Sequence, residues 1–140
     1  MSRTVLLLII TIFLWSCENA QRKKSPMKKE WKNTIYERIE VAPVEGGFQM
    51  ENYWVWGSSV IRGDDGKYHM YASRWPKFLP FHPGWMVASE VTHAVSDTPE
   101  GPYEFSDVAL PARGAEYWDG RSTHNPRIFR YNDTYILIYM

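Results

Sequence analysis

Ser59-Val60-Ile61-Arg62-Gly63-Asp64-Asp65-Gly66-Lys67-Tyr68-His69-Met70-Tyr71-Ala72 is the stretch on which the fold turns. Two runs of β-branched and aromatic residues flank a cluster of Gly and Asp, and Asp-Gly between such runs is the strongest short-range hairpin signal. Further along, Arg127-Ile128-Phe129-Arg130 leads into Tyr131-Asn132-Asp133, and Thr134-Tyr135-Ile136-Leu137-Ile138-Tyr139 leads out. The two hairpins align at a constant offset of 67 residues, which pairs Ile61 with Ile128, Asp65 with Asn132, Tyr68 with Tyr135 and Met70 with Leu137. A fixed period with one supersecondary unit per repeat indicates a solenoid or a propeller. A four-stranded antiparallel propeller blade with long loops fits a repeat of this size.

Between the hairpins lies material for the rest of a blade. Trp85 to Val95 reads as a third strand, Ser96 to Pro102 as a turn, and Tyr103-Glu104-Phe105 as the start of an outer strand. Pro102 suits the outer position, where an edge strand has N–H groups to spare. From Trp31 onward helical periodicity is weak, so the fold class is all-β. The second repeat runs into Met140 in the middle of its second strand. Radial architectures need about four or more blades to close. The expectation is therefore the first one to two four-stranded blades of a propeller, incomplete, in an N-terminal fragment spanning 33–140.

The segment before this domain reads as an address. Val5 to Trp15 is a short apolar run behind Arg3, too short for a spanning helix and matching the h-region of a secretory signal. Leu14-Trp15-Ser16-Cys17 resembles a bacterial lipobox, with residues 1–16 as signal peptide and Cys17 as the lipidated N-terminus. Residues 17–32 form a basic tether with Arg22, Lys23, Lys24, Lys28, Lys29 and Lys32. The expected localisation is export across the inner membrane to an outer-membrane or periplasmic site. The membrane is then a partner through the lipid anchor. A plain signal peptide or an uncleaved anchor is the alternative.

The composition excludes several classes. The 140 residues carry 16 Lys+Arg and 16 Asp+Glu, so the chain has no excess of basic charge for a nucleic-acid partner. A single cysteine excludes a disulfide framework and a multi-cysteine zinc site. No His and carboxylate spacing amounts to a metal motif. Aromatics reach 16%, and Tyr53, Trp54, Trp56, Trp75, Phe78, Phe81 and Trp85 crowd the first repeat. Trp54 and Trp56 alternate, which puts both rings on one face of a strand. The loop Trp75 to Trp85 holds three prolines and cannot run as regular strand. Trp and Tyr faces stack on the C–H faces of pyranose rings, so these residues are candidates for a sugar platform. Packing between blades is the other use for them.

Three pieces then resemble five-bladed β-propeller glycosidases of the family 43 group and its relatives in families 32, 62, 68 and 117. They are Ser58 to Ser73, Ala94 to Tyr103 with its Gly101-Pro102-Tyr103 turn, and Tyr117 to Ile128 with His124-Asn125-Pro126. The resemblance implies hydrolysis of glycosidic bonds in an extracellular poly- or oligosaccharide by a general base and a general acid. In that family the base Asp precedes the Val-Ile run of the first blade, where this chain has Ser58-Ser59. Asp119 and Glu90 are the candidate replacements, each with a plainer reading as a turn residue and a solvent-facing strand residue. The acid is expected from a later blade. Substrate-binding candidates are Trp54, Trp56, Trp75, Trp85, Arg121, His124 and Asn125. No cofactor is implied, and the resemblance leaves room for a central calcium ion in a complete propeller. The alternatives to hydrolysis are a non-catalytic carbohydrate-binding surface lipoprotein and an inactive truncated product.

Overall fold

The computed structural model describes residues 34–140. The signal segment, Cys17 and the basic tether lie outside the described residues. The chain divides into two compact units, Met1–Glu40 and Val41–Met140. In the first, Ile35–Arg38 make one 3-10 turn, and the Glu37 carboxylate accepts a hydrogen bond from the Thr34 N–H at 3.1 Å. Among the described residues no helix is long and apolar enough to cross a membrane.

The second unit is all-β apart from one short helix. Its elements are β1 (Tyr53–Arg62), β2 (Tyr68–Pro76), α1 (Phe81–Ala88), β3 (Glu90–Ser96), β4 (Glu104–Leu110), β5 (Arg127–Tyr131) and β6 (Thr134–Ile138). The strands form an antiparallel four-stranded sheet in the order β1-β2-β3-β4 and an antiparallel pair β5-β6. Met70, Ala72, Ala94 and Tyr103 make the buried core, and Phe48, Val55 and Tyr68 pack against it. Ser73 and Trp75, on the opposite face of β2, are fully enclosed as well, so the second half of this central strand is covered on both faces, while His69 and Tyr71 are half-buried.

Turn chemistry sets the register of each hairpin. The β1-β2 loop is closed by the Gly63 N–H donating to Lys67 O at 2.8 Å, with Gly66 in the left-handed region at φ 83°. The Asp65 carboxylate caps the loop by accepting from the Lys67 N–H at 3.0 Å. The β5-β6 pair closes instead through Asn132 and Asp133 alone, both at positive φ (45° and 61°), the signature of a type I′ turn. The two loops differ in length, so the constant offset of 67 needs correction. Ile61 pairs with His69, eight positions on, whereas Ile128 pairs with Leu137, nine positions on. The offset of 67 that joins Ile61 to Ile128 becomes 68 on the second strands. A one-residue slip of this kind changes which side chains share a face.

The third strand also differs from the sequence reading. Trp85 to Ala88 are helical, in α1, and β3 begins only at Glu90. Inside α1 the backbone breaks at His82 and Pro83, and regular helix follows from Gly84. The Pro-rich approach prevents strand pairing there, and the short helix caps the end of β2 instead. Four groups stitch the sheet crosswise through hydrogen bonds. Asp65 meets His69 Nε2 at 3.1 Å, His69 Nδ1 meets His93 Nε2 at 2.9 Å, and His93 Nδ1 meets Asp107 Oδ2 at 3.0 Å.

The two sheets are joined by serine hydroxyls rather than by a shared ladder. Ser59 Oγ of β1 accepts the Ile128 N–H at 3.2 Å, and Ser73 Oγ of β2 accepts the Asn125 N–H at 2.8 Å. These bonds hold Asn125 and the start of β5 against the middle of the β1-β2 pair, beside the register shift between Trp56 and Ser59. His124 and Met140 exchange backbone hydrogen bonds at 2.8 and 2.9 Å and close the far side.

Candidate functional site

An aromatic cavity of about 260 Å³ opens where α1, the end of β2 and the segment entering β5 meet, lined by Trp56, Trp75, Phe81, Trp85, His124, Asn125 and Met140. Phe81 is its hub. The ring makes edge contacts with Trp54 and Trp56, each at 5.5 Å between centroids, and a tilted contact with Trp75 at 5.2 Å. Trp54 and Trp56 therefore share one face of β1, as their alternation predicts. Trp54 is tied down by its indole N–H donating to Leu79 O at 3.1 Å, whereas Trp56 keeps 54% of its surface exposed at the rim.

Trp75 is wholly buried and presents no free ring face. Its indole N–H finds no acceptor among the described residues. It packs instead against Gly84, where a Cβ would stand 3.2 Å from the indole nitrogen and 3.0 Å from Leu79 Cβ. A buried donor left unpaired costs about 1–3 kcal/mol. Trp85 stacks on His124 at 4.7 Å with 24° between the planes, and its N–H donates to His82 Nδ1 at 3.0 Å.

His124 is the polar centre of this cavity, and its tautomer follows from its neighbour. Ser89 Oγ donates its one hydrogen to Thr123 O at 2.8 Å. It must then accept from His124 Nδ1, 2.9 Å away. The imidazole is therefore the Nδ1–H form, assigned from the network. Nε2 is left with its lone pair and no hydrogen-bond partner among the described residues. Burial pushes the His124 pKa below its ordinary value, which keeps the ring neutral. The pocket thus offers an imidazole acceptor beside an indole face.

Asn125 follows at φ 47°, in the left-handed region that Asn tolerates. Gly57 makes room for it. The β1 register shifts between Trp56 and Ser59, and a Cβ on Gly57 would lie 2.3 Å from Asn125 Oδ1.

The nominated carboxylates are otherwise engaged. Asp119 is buried, with Oδ1 bound by the Arg113 guanidinium and Oδ2 accepting from Tyr139 Oη at 2.5 Å. The Tyr139 hydroxyl and then Arg113 hold its carboxyl below the usual carboxylate range. This ion pair braces the loop of residues 111–123, where Gly120 N–H donates to Tyr117 O and Gly120 O accepts from Arg113 N–H, both at 3.1 Å. Glu90 pairs through Oε1 with Arg74 Nε and Nη2, both at 2.8 Å, and Arg74 lies between the rings of Tyr53 and Phe105 at 4.4 and 4.7 Å. Neither carboxylate lines the aromatic cavity.

The structure thus brings Trp56, Trp75, Trp85, His124 and Asn125 around one cavity and leaves Trp54 behind Phe81. Arg121 lines a neighbouring groove instead. Sequence reasoning missed Ser89, Arg113 and Tyr139, which orient His124 and neutralise Asp119. Their partners lie 35, 6 and 20 positions away, and no local pattern announces such bonds. The Ser58-Ser59 position acquires a role as well, since Ser59 holds the start of β5. Among the described residues no group of three or more His, Cys, Asp or Glu is arranged to hold a metal ion. No protein-family model matches the chain, and no curated protein matches it at a significant level.

Proposed function

We propose that this chain recognises a carbohydrate outside the cytoplasm, within a β-propeller of the glycosidase type, and that its own residues bind the sugar rather than hydrolyse it. The observation that carries the reading is the cavity of Trp56, Phe81 and Trp85 around His124 and Asn125, which no carboxylate lines. Aromatic faces match the C–H faces of a pyranose ring. The His124 Nε2 lone pair and the Asn125 amide match ring hydroxyls. Two antiparallel sheets whose first strands, β1 and β5, lie in contact support adjoining blades of a propeller. Export and lipid attachment at Cys17 belong to the same proposal.

Hydrolysis by this chain would need a carboxylate to activate water and a protonated partner across the bond. Asp119 spends both oxygens on Arg113 and Tyr139, and Glu90 serves Arg74. Calorimetric titration with neutral and acidic oligosaccharides, alongside a reducing-sugar assay, tests the reading. The expected result is saturable binding without turnover, weakened about tenfold by Trp56→Ala, which removes a half-exposed ring of a size worth about 1 kcal/mol or more per stacked contact. Release of reducing sugar by the unmutated chain would instead establish hydrolysis. No binding to any saccharide would end the proposal.

A further inference from the structure

A second concavity adjoins the aromatic cavity. It is a groove of about 450 Å³ whose walls include Met86, Tyr117, Trp118, Arg121 and Ser122. The two share a border. Ser122 Oγ donates to Trp85 O at 2.6 Å, so the step from Trp85 to Met86 separates one hollow from the other. The segment Ser122-Thr123-His124 runs from the groove into the cavity.

The groove has a different chemistry from the cavity. Trp118 is 84% exposed, an unusual state for an indole, yet it is not loose. One face lies parallel to Tyr139, 6.0 Å away and 9° off parallel, and Tyr139 is itself anchored on Asp119. The other face is therefore held open, with part of its ordering cost already met. Arg121 is exposed and makes no ion pair or side-chain hydrogen bond among the described residues. The carboxylate two positions before it, Asp119, is neutralised by Arg113, whose guanidinium also covers Tyr117 at 4.5 Å. Glu116, the other carboxylate of the loop, lies against Gly114 and does not line the groove. An uncompensated guanidinium thus stands beside an open indole face.

We infer that this groove is a subsite for an acidic sugar, a hexuronate whose ring stacks on Trp118 and whose carboxylate is gripped by Arg121. The inference rests on the carbohydrate reading of the neighbouring cavity. It adds that the saccharide is anionic. The planar fork of Arg fits a carboxylate with two parallel N–H donors. Ser122 supplies a hydroxyl on the same wall.

The test is calorimetric titration of the purified chain with tetrasaccharides of galacturonate, glucuronate, mannuronate and guluronate. Each is paired with its methyl ester, and a sulfated tetrasaccharide is run beside them. At least one acid should bind about tenfold or more tighter than its ester, as a charge-assisted hydrogen bond predicts. Raising the salt should erode that preference. Arg121→Gln should abolish it, cost the ester far less than the acid and leave the melting temperature unchanged, because Arg121 has no ion pair or side-chain hydrogen bond among the described residues. Trp118→Ala should weaken acid and ester alike. Binding of esters with no preference for any acid overturns this inference and leaves the carbohydrate reading standing. So does a preference that survives Arg121→Gln. Tighter binding of the sulfated ligand overturns the choice of carboxylate. If no saccharide binds in either form, the carbohydrate reading fails and this inference with it.

Discussion

Replacing Glu90 separates a structural carboxylate from a catalytic one. Arg74 is 8% exposed and Glu90 23%, and both Arg74 bonds run to the single oxygen Oε1. The remaining nitrogen of Arg74, Nη1, reaches only Met50 Sδ, at 3.5 Å, among the described residues. Glu90→Ala therefore leaves a guanidinium between the Tyr53 and Phe105 rings without a counter-ion. Breaking a fully buried pair by removing one partner costs about 3–5 kcal/mol. The two ring faces offset part of this, at about 0.5–2 kcal/mol for such contacts. Partial exposure of Glu90 also lets water reach the gap. The net loss is then about 2–3 kcal/mol. In a domain near 100 residues each kcal/mol moves the melting temperature by about 4–8 °C, so the variant should melt about 10–20 °C lower. Removing both charges is far cheaper than removing one. Arg74→Met combined with Glu90→Ala should therefore recover much of the loss, and circular-dichroism melts of the four proteins measure the coupling. Below its melting point the single variant should bind saccharide as the parent does. A melting temperature within about 2 °C of the parent, together with lost binding or turnover, would refute the argument and return Glu90 to the site.

Two further outcomes follow from the same geometry. Gly57→Ala should both destabilise the fold and weaken saccharide binding, because Gly57 sits at φ 58° and its new Cβ would lie 2.3 Å from Asn125 Oδ1. The left-handed backbone alone costs about 1–2 kcal/mol, and the displaced amide adds the functional loss, read as a lower melting point with a weaker affinity. Acid should lower stability in two stages. His124 is depressed by burial, so the unfolded chain takes a proton first and stability falls as pH drops from about 6.5, the unfolded value, toward the folded one. Asp107 is lowered by the His93 hydrogen bond, Asp65 by His69, and Asp119 by Tyr139 and Arg113, so their contributions are complete above about pH 4 and are lost as pH falls through their folded values. Melting temperatures that stay flat between pH 7 and 5 would contradict a buried neutral His124.

The hairpins were legible because their signals are local. Gly63 to Lys67 and Asn132-Asp133 sit between strand-like runs, and the ladders close at those turns. The offset between them was legible only to within one residue. Loop length and turn type set the ladder, and a residue-by-residue match across two turns of different length conceals the slip. The sequence puts Trp85 to Ala88 at the start of a strand because Trp85, Met86 and Val87 are strand-like residues, yet they form the second half of the helix Phe81–Ala88. β-propensity reflects a half-buried pleated surface, and here that surface is supplied by Phe81 and Trp85 packing on Trp75 and His124 without any ladder.

The site was legible in its apolar half and hidden in its polar half, and the reason is physical. A ring declares its own use, because a large apolar surface must either be buried or serve as a platform, and composition counts it directly. A carboxylate declares nothing until its partners are known. Asp119 among Tyr117, Trp118, Arg121 and His124 looked like an acid in a functional setting, yet its partners are Arg113 and Tyr139. Those bonds set its charge, occupy its oxygens and brace the loop. The same bonds leave Arg121 without a carboxylate while holding Trp118 open through Tyr139. Neutralising one acid inside the loop is thus what frees a cation on its surface. Asp119→Asn should accordingly act at a distance. It should loosen Tyr139 and with it the stacked Trp118, read in calorimetric titration as a weaker affinity for acid and ester alike beside an unchanged preference for the acid.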